Sequence, residues 1–413
     1  MPDTIARNNP HDRTFCDRSA RCSNYLPLTF TSTATVEVSM SPPEPATGLA
    51  GGRLHIDLEA LGANYRTIAS EVARARVGTV VKADAYGLGA TEAATHLATI
   101  GCRDFFVAIL PEALTLKPHL PADSRLYVLN GLPPGAEALC ADAGVLPVLN
   151  SLEQARRWRE AVRDRIQPPR AAIQIDSGMS RLGMSEAEIE MLASQPDFFA
   201  DVPVGLIMSH LACAEDVEAA ANLAQRRSFD RLAERLPTKA EHSLGNSAGS
   251  FHPADLRGDL VRPGLALYGA TPSPLAEGRL RPVVRLEARV LQLRAIPAGV
   301  GVGYGLTYVA PEARRIATLS VGYADGWPRS LSSAGHAWAD GVRLPILGRV
   351  SMDSMVVDVS DLPPGALSEG DFVELIGPHQ SLDHVAVTAG ITSYELLTGF
   401  GRRLERIYHR SGK

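Results

Sequence analysis

The chain of 413 residues carries a net charge of −5 and is 45% hydrophobic and 21% charged. That composition is typical of an ordinary globular protein, and the length allows two domains with complete hydrophobic cores. The acidic balance offers no basic surface for nucleic acid, and no apolar run reaches the roughly 18 residues of a membrane-spanning helix. The five cysteines are scattered and lack the spacing of zinc ligands, which predicts reduced thiols in a cytoplasmic protein without a metal site.

Residues 1–52 differ in composition from the rest and are rich in Pro, Ser, Thr and Gly. Such a segment cannot bury enough apolar surface to order itself, so we predict a disordered leader. Its basic residues are followed by an apolar stretch that Pro27 and several threonines interrupt, which makes a poor signal peptide. Met40 could serve as the true start.

From Arg53 onward, short apolar runs alternate with segments of helical periodicity. The apolar pattern predicts a strand over residues 54–58, and the helical spacing predicts a helix over residues 58–73. Eight further strands are predicted over 79–85, 105–109, 125–130, 146–150, 171–176, 203–209, 242–247 and 259–264, with helices over 91–100, 151–165, 185–194 and 217–236. This alternation predicts that residues 53–280 form a (β/α)8 TIM-type barrel. An open doubly wound sheet is the alternative, but no glycine-rich dinucleotide fingerprint follows the first strand.

The pattern changes near residue 281, where strands follow one another with few helices between them. Strands are predicted over 282–296, 315–321, 345–359 and 372–376, and one helix over 385–397. Turn sequences such as PPG at 363–365 separate them. Residues 281–413 are therefore predicted to form a second domain that is mainly β.

Lys82 lies at the end of the first predicted barrel strand, in the sequence VVKADAYG (80–87). A buried ammonium group costs on the order of several kcal/mol unless it is paired or neutral. One way to keep the lysine neutral is an imine with a carbonyl cofactor. The other interpretation, simpler for these eight residues alone, is an amine that reaches solvent at the strand end.

Polar residues also follow four other predicted strands, at the end of the barrel where active sites lie. They occupy positions 176–181, 208–210, 245–247 and 262–265. Asn246, Ser247 and the backbone amides after Gly264 could hold a phosphate. Arg262 could face an aromatic nitrogen, and Lys82 an aldehyde carbon.

These motifs resemble those of the alanine racemases. The sequence VKADAYG (81–87) resembles the lysine motif that binds pyridoxal phosphate in that family. The resemblance continues through DSGMSRLG (176–183), SHLACA (209–214), VRPG (261–264), GYG (303–305), VGYADG (321–326) and GRVSMD (348–353), in the family's order and spacing. It extends from about residue 53 to about residue 408. It implies a barrel followed by a mainly β domain, and an enzyme that interconverts L- and D-alanine and supplies D-alanine for peptidoglycan.

The resemblance also implies a base on each side of the substrate α-carbon. Lys82 would bind pyridoxal phosphate as a Schiff base and serve the D-enantiomer, and Tyr304 would serve the L-enantiomer. His210 would contact both Tyr304 and Arg262, with Arg262 beside the ring nitrogen of the cofactor. An arginine there discourages protonation of that nitrogen, because two adjacent positive charges repel.

Binding residues follow from the same resemblance. Those for the cofactor phosphate are Tyr86, Ser247, Gly264, Leu265 and Tyr394, with Asn246 beside them. Those for the substrate are Arg181, Tyr323 and the backbone of Met352, and those for the entry channel are Tyr323, Arg329, Arg349 and Glu215. Because Tyr304 lies in the β domain and Lys82 in the barrel, the resemblance implies an obligate head-to-tail homodimer with shared active sites.

Three positions depart from the family pattern. Gln174 stands where many members carry a lysine, Leu88 replaces a common histidine, and Ser177 replaces a frequent threonine. We expect the amide of Gln174 to orient Arg181. Two alternatives stay open: a pyridoxal phosphate racemase of broader specificity, and a non-catalytic pyridoxal phosphate-binding protein. Proteins of the second kind have a single barrel and lack a β domain.

Overall fold

The computed structural model describes residues 48–253 and 256–410. The predicted leader therefore lies, up to residue 47, outside the described residues, together with Cys16 and Cys22. Within the described ranges, no helix is both long enough and apolar enough to cross a lipid bilayer. Cys102, Cys140 and Cys213 carry free thiols.

The first part of the chain alternates short strands with helices. The strands are β1 (Gly52–Asp57), β2 (Arg76–Val77), β3 (Thr79–Val80), β4 (Asp104–Val107), β5 (Arg125–Val128), β6 (Leu146–Leu149), β7 (Ala171–Gln174), β8 (Val204–Met208), β9 (Glu241–Ser243) and β10 (Leu260–Val261). The helices are α1 (Leu58–Val72), α2 (Lys82–Gly87), α3 (Ala90–Thr99), α4 (Leu110–Leu116), α5 (Glu137–Asp142), α6 (Leu152–Val162), α7 (Glu186–Ala193), α8 (Pro196–Asp201) and α9 (Ala220–Ala233). Short 3-10 helices cover Lys117–His119, Leu265–Tyr268 and Pro274–Ala276.

Strands β2 to β10 close into a parallel barrel. Strands β3 to β9 pair in chain order in one sheet, and β10 pairs in parallel with β2, which is separated from β3 by a single residue. That residue, Gly78, donates its N–H to the carbonyl of Val261 at 2.9 Å. On the other side of β10, the N–H of Asp259 donates to the carbonyl of His242 at 2.7 Å. The predicted (β/α)8 barrel is confirmed.

The barrel strands are buried on both sides. All four residues of β4 are buried, and Phe105 and Phe106 have no exposed surface. Helices cover the outside of such a barrel and side chains fill its interior, so a strand reads as a continuous apolar run rather than an alternating one. This explains why the short apolar runs of the sequence located these strands.

The second part of the chain is mainly β, as predicted. Its strands are β11 (Val284–Ile296), β12 (Gly301–Val302), β13 (Tyr308–Val309), β14 (Arg314–Leu319), β15 (His336–Ala339), β16 (Val342–Pro345), β17 (Met355–Asp358), β18 (Phe372–Ile376) and β19 (Glu405–His409). Its helices are α10 (Leu382–Ala389), α11 (Ser393–Gly399) and the 3-10 helices Tyr304–Leu306, Tyr323–Asp325 and Arg329–Leu331. Eight strands form one sheet. Six of them pair in the order β16-β15-β18-β11-β1-β19, while β14 also pairs with β11 and β17 pairs with β14.

Strand β1 belongs to this second sheet, although the sequence placed residue 53 at the start of the barrel. It pairs antiparallel with β11 and parallel with β19. Leu54 and Ile56 are buried while Arg53 and His55 are partly exposed, an alternation typical of a sheet with one covered face. The predicted barrel range therefore begins with a strand of the other sheet.

Two predicted elements of the β part are also wrong in their extent. The predicted strand 345–359 is the end of β16, a loop over 346–354 and the separate strand β17. The predicted helix 385–397 is two helices, because Gly390 ends α10 with a φ of 70°. Glycine reaches this left-handed conformation without the clash that a Cβ atom causes.

Candidate active site

Lys82 opens a left-handed turn at the carboxyl end of the first barrel strand. The strand ends at Val80, and residues 83–86 have φ values between 52° and 58°. The predicted strand 79–85 is therefore too long. Successive left-handed residues other than glycine are costly, so contacts from elsewhere in the fold must hold this turn. It directs Lys82 and Tyr86 to the same rim of the barrel.

Glu112 of α4 holds the start of the turn. One carboxylate oxygen accepts the N–H of Ala83 at 2.7 Å, and the other accepts the N–H of Ala108 at 2.7 Å. Burial lowers the pKa of Lys82, Arg181 lowers it further, and Glu112 raises it. Lys82 is thus biased toward the neutral amine that an imine requires.

The end of the turn is held from the far end of the chain. Arg406 of β19 donates from two nitrogens to the carbonyl of Gly87, at 3.0 and 2.8 Å, and also to the carbonyl of Phe400 at 3.1 Å. The hydroxyl of Tyr408 donates to the carbonyl of Leu88 at 3.0 Å. The lysine turn is therefore a contact between the barrel and the β sheet.

Arg262 and His210 meet beneath the same rim. Arg262 is 4% exposed and donates to the carbonyl of Ser209 at 2.6 Å and to the hydroxyl of Ser243. Burial lowers its pKa to about 9, and no carboxylate among the described residues is hydrogen-bonded to it. Burial, with the charges of Arg262, Arg181 and Lys82, lowers the pKa of His210 to about 3, so this imidazole is neutral.

Gln225, which no pattern in the sequence indicates, positions the loop that carries His210. Its side chain is 3% exposed, accepts the N–H of Ala212 at 2.8 Å and donates to the carbonyl of His210 at 2.9 Å. The same is true of Glu112 and Ser243. All three act on the backbone or on another polar side chain from a distant element, and no spacing within the sequence signals such a contact.

Ser247, Gly264 and Tyr86 form a small cradle beside Lys82. The hydroxyl of Ser247 accepts the N–H groups of Gly264 at 2.9 Å and Ala266 at 3.3 Å. A Cβ atom on Gly264 would collide with the hydroxyl of Tyr86, so only glycine fits there without displacement. Tyr394 adds a second aromatic wall, with its ring centroid 5.8 Å from that of Tyr86. Burial raises the pKa of Tyr86, and both phenols stay protonated as hydrogen-bond donors.

Asn246 and Leu265 lie next to the cradle. The side-chain oxygen of Asn246 accepts the N–H of Gly249 at 2.9 Å and so stabilises the turn that presents Ser247. Leu265 is buried and begins a 3-10 helix directly after Gly264. Both are adjacent to the cradle, as the sequence predicts, and their contacts within the chain are structural.

Arg181 is exposed on a loop. The side chains of Asp176 and Gln174 stabilise the backbone of this loop. Asp176 accepts three backbone N–H groups of residues 178–180 at 3.0 to 3.1 Å. Gln174 donates its amide to the carbonyl of Leu182 at 3.1 Å, one residue beyond Arg181. In this structure Gln174 therefore fixes the backbone next to Arg181, whereas we expected it to orient the guanidinium.

The remaining predicted residues form a separate group on the β sheet. An open pocket of about 690 Å³ is lined by Tyr304, Tyr323, Arg329, Arg349, Val350 and Ser351. Tyr304 is 72% exposed, and Met352 at the edge of this group is 52% exposed. Glu215 lies apart from the pocket, at the barrel rim, where its charge acts on Tyr394. Within the described chain, no hydrogen bond or ion pair joins Tyr304 to Lys82, His210 or Arg262.

The fold and the barrel-rim site define a class of enzyme: the barrel enzymes that bind pyridoxal phosphate on a lysine. The chain belongs to the alanine racemase family. The model of the alanine racemase N-terminal domain matches residues 56–272, and that of the C-terminal domain matches residues 283–408. The enzyme is therefore a pyridoxal phosphate-dependent isomerase.

Relatives of known name agree with this assignment. The chain is 47% identical over 369 residues, 89% of its length and 95% of the relative's, to a protein of Agrobacterium fabrum named "Alanine racemase, catabolic". It is 48% identical over 372 residues, 87% of its length and 94% of the relative's, to a protein of Brucella canis named "Alanine racemase".

Solved structures agree as well. The alanine racemase of Bartonella henselae with covalently bound pyridoxal phosphate superposes with a TM-score of 0.83 and 44% identity, over 87% of this chain and all of that one. The biosynthetic alanine racemase of Pseudomonas aeruginosa superposes with a TM-score of 0.81 and 35% identity, over 88% of this chain and all of that one.

The residues at the rim fit pyridoxal phosphate. At the cradle, the backbone of Gly264 lies so close to the hydroxyl of Tyr86 that a Cβ atom would collide with it, and Ser247 and Tyr86 line the cradle with hydroxyl groups. The charges of Arg181 and Arg262 act on the same imidazole, that of His210. A site with positive charges and hydroxyl donors suits an anionic ligand such as a phosphate ester.

Proposed function

We propose that this enzyme racemises alanine with two bases, Lys82 on one face of the α-carbon and Tyr304 on the other. The observation that carries the proposal is the lysine with a lowered pKa at a rim shared with Arg262 and His210. When bound, pyridoxal phosphate supplies an electron sink that makes the α-hydrogen of the amino acid acidic. The residues of the chain then have to bind, orient and move a proton.

Each residue of the rim has a task in this proposal. Lys82 attaches the cofactor, and its free amine takes or gives the proton on the D-face. Ser247, Tyr86 and the backbone at Gly264, with Leu265, Tyr394 and Asn246 around them, hold the phosphate. Arg262 would face the ring nitrogen and would keep it unprotonated, since a cation beside that nitrogen opposes a second positive charge.

Arg181 and the β sheet form the substrate site. The guanidinium of Arg181 binds the carboxylate of alanine with paired hydrogen bonds, helped by the backbone N–H of Met352. Tyr323 narrows the space around the methyl group. Arg329, Arg349 and Glu215 line the approach from solvent.

We further propose that the complete site forms between two copies of the chain. Tyr304 is exposed in an open pocket of its own chain, and nothing in the described chain brings it to Lys82. In an obligate head-to-tail homodimer, Tyr304 of the partner subunit would meet neutral His210 beside Lys82. A tyrosine acts as a general base only when a neighbouring group helps to remove its proton.

The test of the two bases is α-hydrogen exchange in deuterated water. The equilibrium constant between the enantiomers is one, so racemisation rates alone cannot tell which base was lost. We expect Tyr304→Phe to exchange the α-hydrogen of D-alanine while losing exchange of L-alanine, whereas Tyr308→Phe, a matched change nearby, exchanges both. Loss of both exchanges in Tyr304→Phe, or retention of both, would contradict the assignment.

The test of the shared site is a mixture of two inactive variants. In a heterodimer of Lys82→Ala and Tyr304→Phe, one site carries both lesions and the other carries neither. Co-expression of equal amounts should therefore restore about a quarter of the wild-type activity, because half of the dimers are mixed and half of their sites are intact. If each chain forms its own site, the mixture stays inactive.

The physiological role has two candidates. Supply of D-alanine for peptidoglycan is the role implied by the sequence resemblance, and the relative from Pseudomonas aeruginosa is described as biosynthetic. The relative from Agrobacterium fabrum is named catabolic, which favours a role in the breakdown of alanine. Deletion of the gene separates the two roles. Loss of a biosynthetic enzyme leaves the cells dependent on added D-alanine, and loss of a catabolic one removes growth on one of the two enantiomers of alanine as sole nitrogen source.

Broader specificity is a measurable alternative. The pocket of about 690 Å³ is open on this chain alone. In the proposed dimer, the partner subunit would therefore determine how large a side chain fits beside the α-carbon. Comparison of kcat/KM for alanine and serine decides between the two. A non-catalytic role has little support, because the chain includes the C-terminal domain that carries Tyr304.

A further inference from the structure

Arg403 connects the two segments of the β sheet that face the substrate in the proposed function. We propose that Arg403 is a positioning residue that fixes the Tyr323 turn relative to the Met352 loop and thereby sets the KM for alanine. The inference rests on the proposed function, because it takes Tyr323 and the backbone of Met352 as the wall of the substrate site.

The guanidinium of Arg403 spans both segments. Its Nε and Nη2 donate to the two carboxylate oxygens of Asp325, at 2.8 and 2.9 Å. Its Nη1 donates to Asp353, the residue after Met352, at 2.6 Å. The planar fork of arginine makes such paired bonds at fixed angles, which a flexible lysine cannot reproduce.

Asp325 passes this constraint to the turn that carries Tyr323. It is 5% exposed and closes the 3-10 helix Tyr323–Asp325, where its carboxylate also accepts the N–H of Gly322 at 2.9 Å. The backbone carbonyl of Asp325 accepts the N–H of Gly401 at 3.0 Å. The turn is thus fixed to the segment that carries Arg403 through both backbone and side chain.

The two segments also lie directly against each other. Tyr323 donates its N–H to the carbonyl of Ser351, and Ala324 donates to the carbonyl of Met352, both at 3.0 Å. A Cβ atom on Gly322 would collide with both of those carbonyl groups. Loss of Arg403 therefore leaves the backbone contact in place but removes the side-chain link that fixes its geometry.

This role differs from a role in stability. The side chain of Arg403 is 52% exposed and that of Asp353 is 62% exposed, and an ion pair so exposed contributes little to folding. The pair with buried Asp325 also stabilises the turn, so the KM and kcat of the folded variants, and not their stability alone, have to separate the two roles. A shift of the Met352 backbone, by contrast, changes the binding of the carboxylate in the ground state and the transition state alike. Such uniform weakening raises KM and leaves kcat almost unchanged.

The test compares Arg403→Met and Arg403→Lys with the same changes at Arg402, the exposed neighbour. We expect Arg403→Met to raise the KM for both enantiomers about tenfold with kcat within about threefold of wild type, since small misplacements of binding groups are costly. Arg403→Lys keeps the charge that Asp325 faces and should recover part of the loss. The Arg402 variants should match wild type.

Propionate provides a second measurement that involves no turnover, because it has the carboxylate and methyl group of alanine without the amine. Its dissociation constant from the holoenzyme, measured by calorimetry, should rise by the same factor in Arg403→Met. If KM and propionate binding in Arg403→Met equal those in Arg402→Met, or if kcat falls while KM stays, the inference is wrong. A wild type without racemase activity would overturn the proposed function and this inference together, so the two failures are distinguishable.

Discussion

Gly264 provides a direct test of the phosphate cradle, through the change Gly264→Ala. A Cβ atom at this position would overlap the hydroxyl of Tyr86 and lie 2.9 Å from the ring carbon that bears it. The φ of Gly264 is −125°, outside the left-handed region that favours glycine, and the clash with Tyr86 is the effect that the test addresses. Tyr86 is 5% exposed and packs against Tyr268 at a centroid distance of 4.9 Å, so its ring has little free space into which it can move.

The expected magnitude follows from the cost of over-packing. Inserting a methyl group into a well-packed site costs about 1–3 kcal/mol, and at 1.4 kcal/mol per factor of ten the affinity for pyridoxal phosphate falls about 5- to 150-fold. The assay is titration of apoenzyme with pyridoxal phosphate, followed by absorbance. Gly399→Ala is the matched control, because a Cβ atom there would meet no atom closer than 3.7 Å.

A second variant identifies the cause. Tyr86→Phe removes the hydroxyl with which the new methyl group collides, so Gly264→Ala should cost less affinity in that background than in wild type. Equal costs in the two backgrounds would show that the clash with the hydroxyl does not matter. Affinity of Gly264→Ala within a factor of two of wild type would refute the cradle itself.

Two further predictions concern the lysine turn. Arg181 lowers the pKa of Lys82 and Glu112 raises it; Arg181→Gln should therefore shift the pH midpoint for capture of pyridoxal phosphate upward, and Glu112→Gln should shift it downward, because only the neutral amine reacts. Shifts of the same sign in a stopped-flow pH series would contradict this prediction.

The second prediction concerns the end of the turn. Arg406→Met removes both hydrogen bonds to the carbonyl of Gly87, so residues 83–89 should exchange their amide hydrogens faster than in Arg402→Met. If amide hydrogen exchange of residues 83–89 is unchanged in Arg406→Met, then Glu112 and Tyr408 hold the turn without Arg406.

Much of the fold could be predicted because its signals are local. The barrel strands are buried on both faces, and their apolar runs were located to within a few residues, as for β4 and β7. Strand β1 was misassigned because a short strand does not indicate which sheet it joins. Its pairing with β11 and β19 depends on residues more than 200 positions away.

The site was predicted unevenly for the same physical reason. Lys82 and Ser247 are unusual residue types at strand ends, so the sequence marks them. Glu112, Gln225 and Arg403 act by contacts with groups brought near by folding, and on a helix or in a loop their polar side chains look like ordinary surface residues. The left-handed turn after Lys82 could not be predicted, because local preferences oppose it and distant contacts impose it.

The distant contacts of that turn have a consequence for biosynthesis. The carbonyl groups of Gly87 and Leu88 are held by Arg406 and Tyr408, more than 300 residues later in the chain. A ribosome synthesises the barrel, including Lys82, well before it adds these two residues. The lysine turn therefore reaches its final form only after β19 has been synthesised, so a nascent chain with a complete barrel has no fully formed cofactor site.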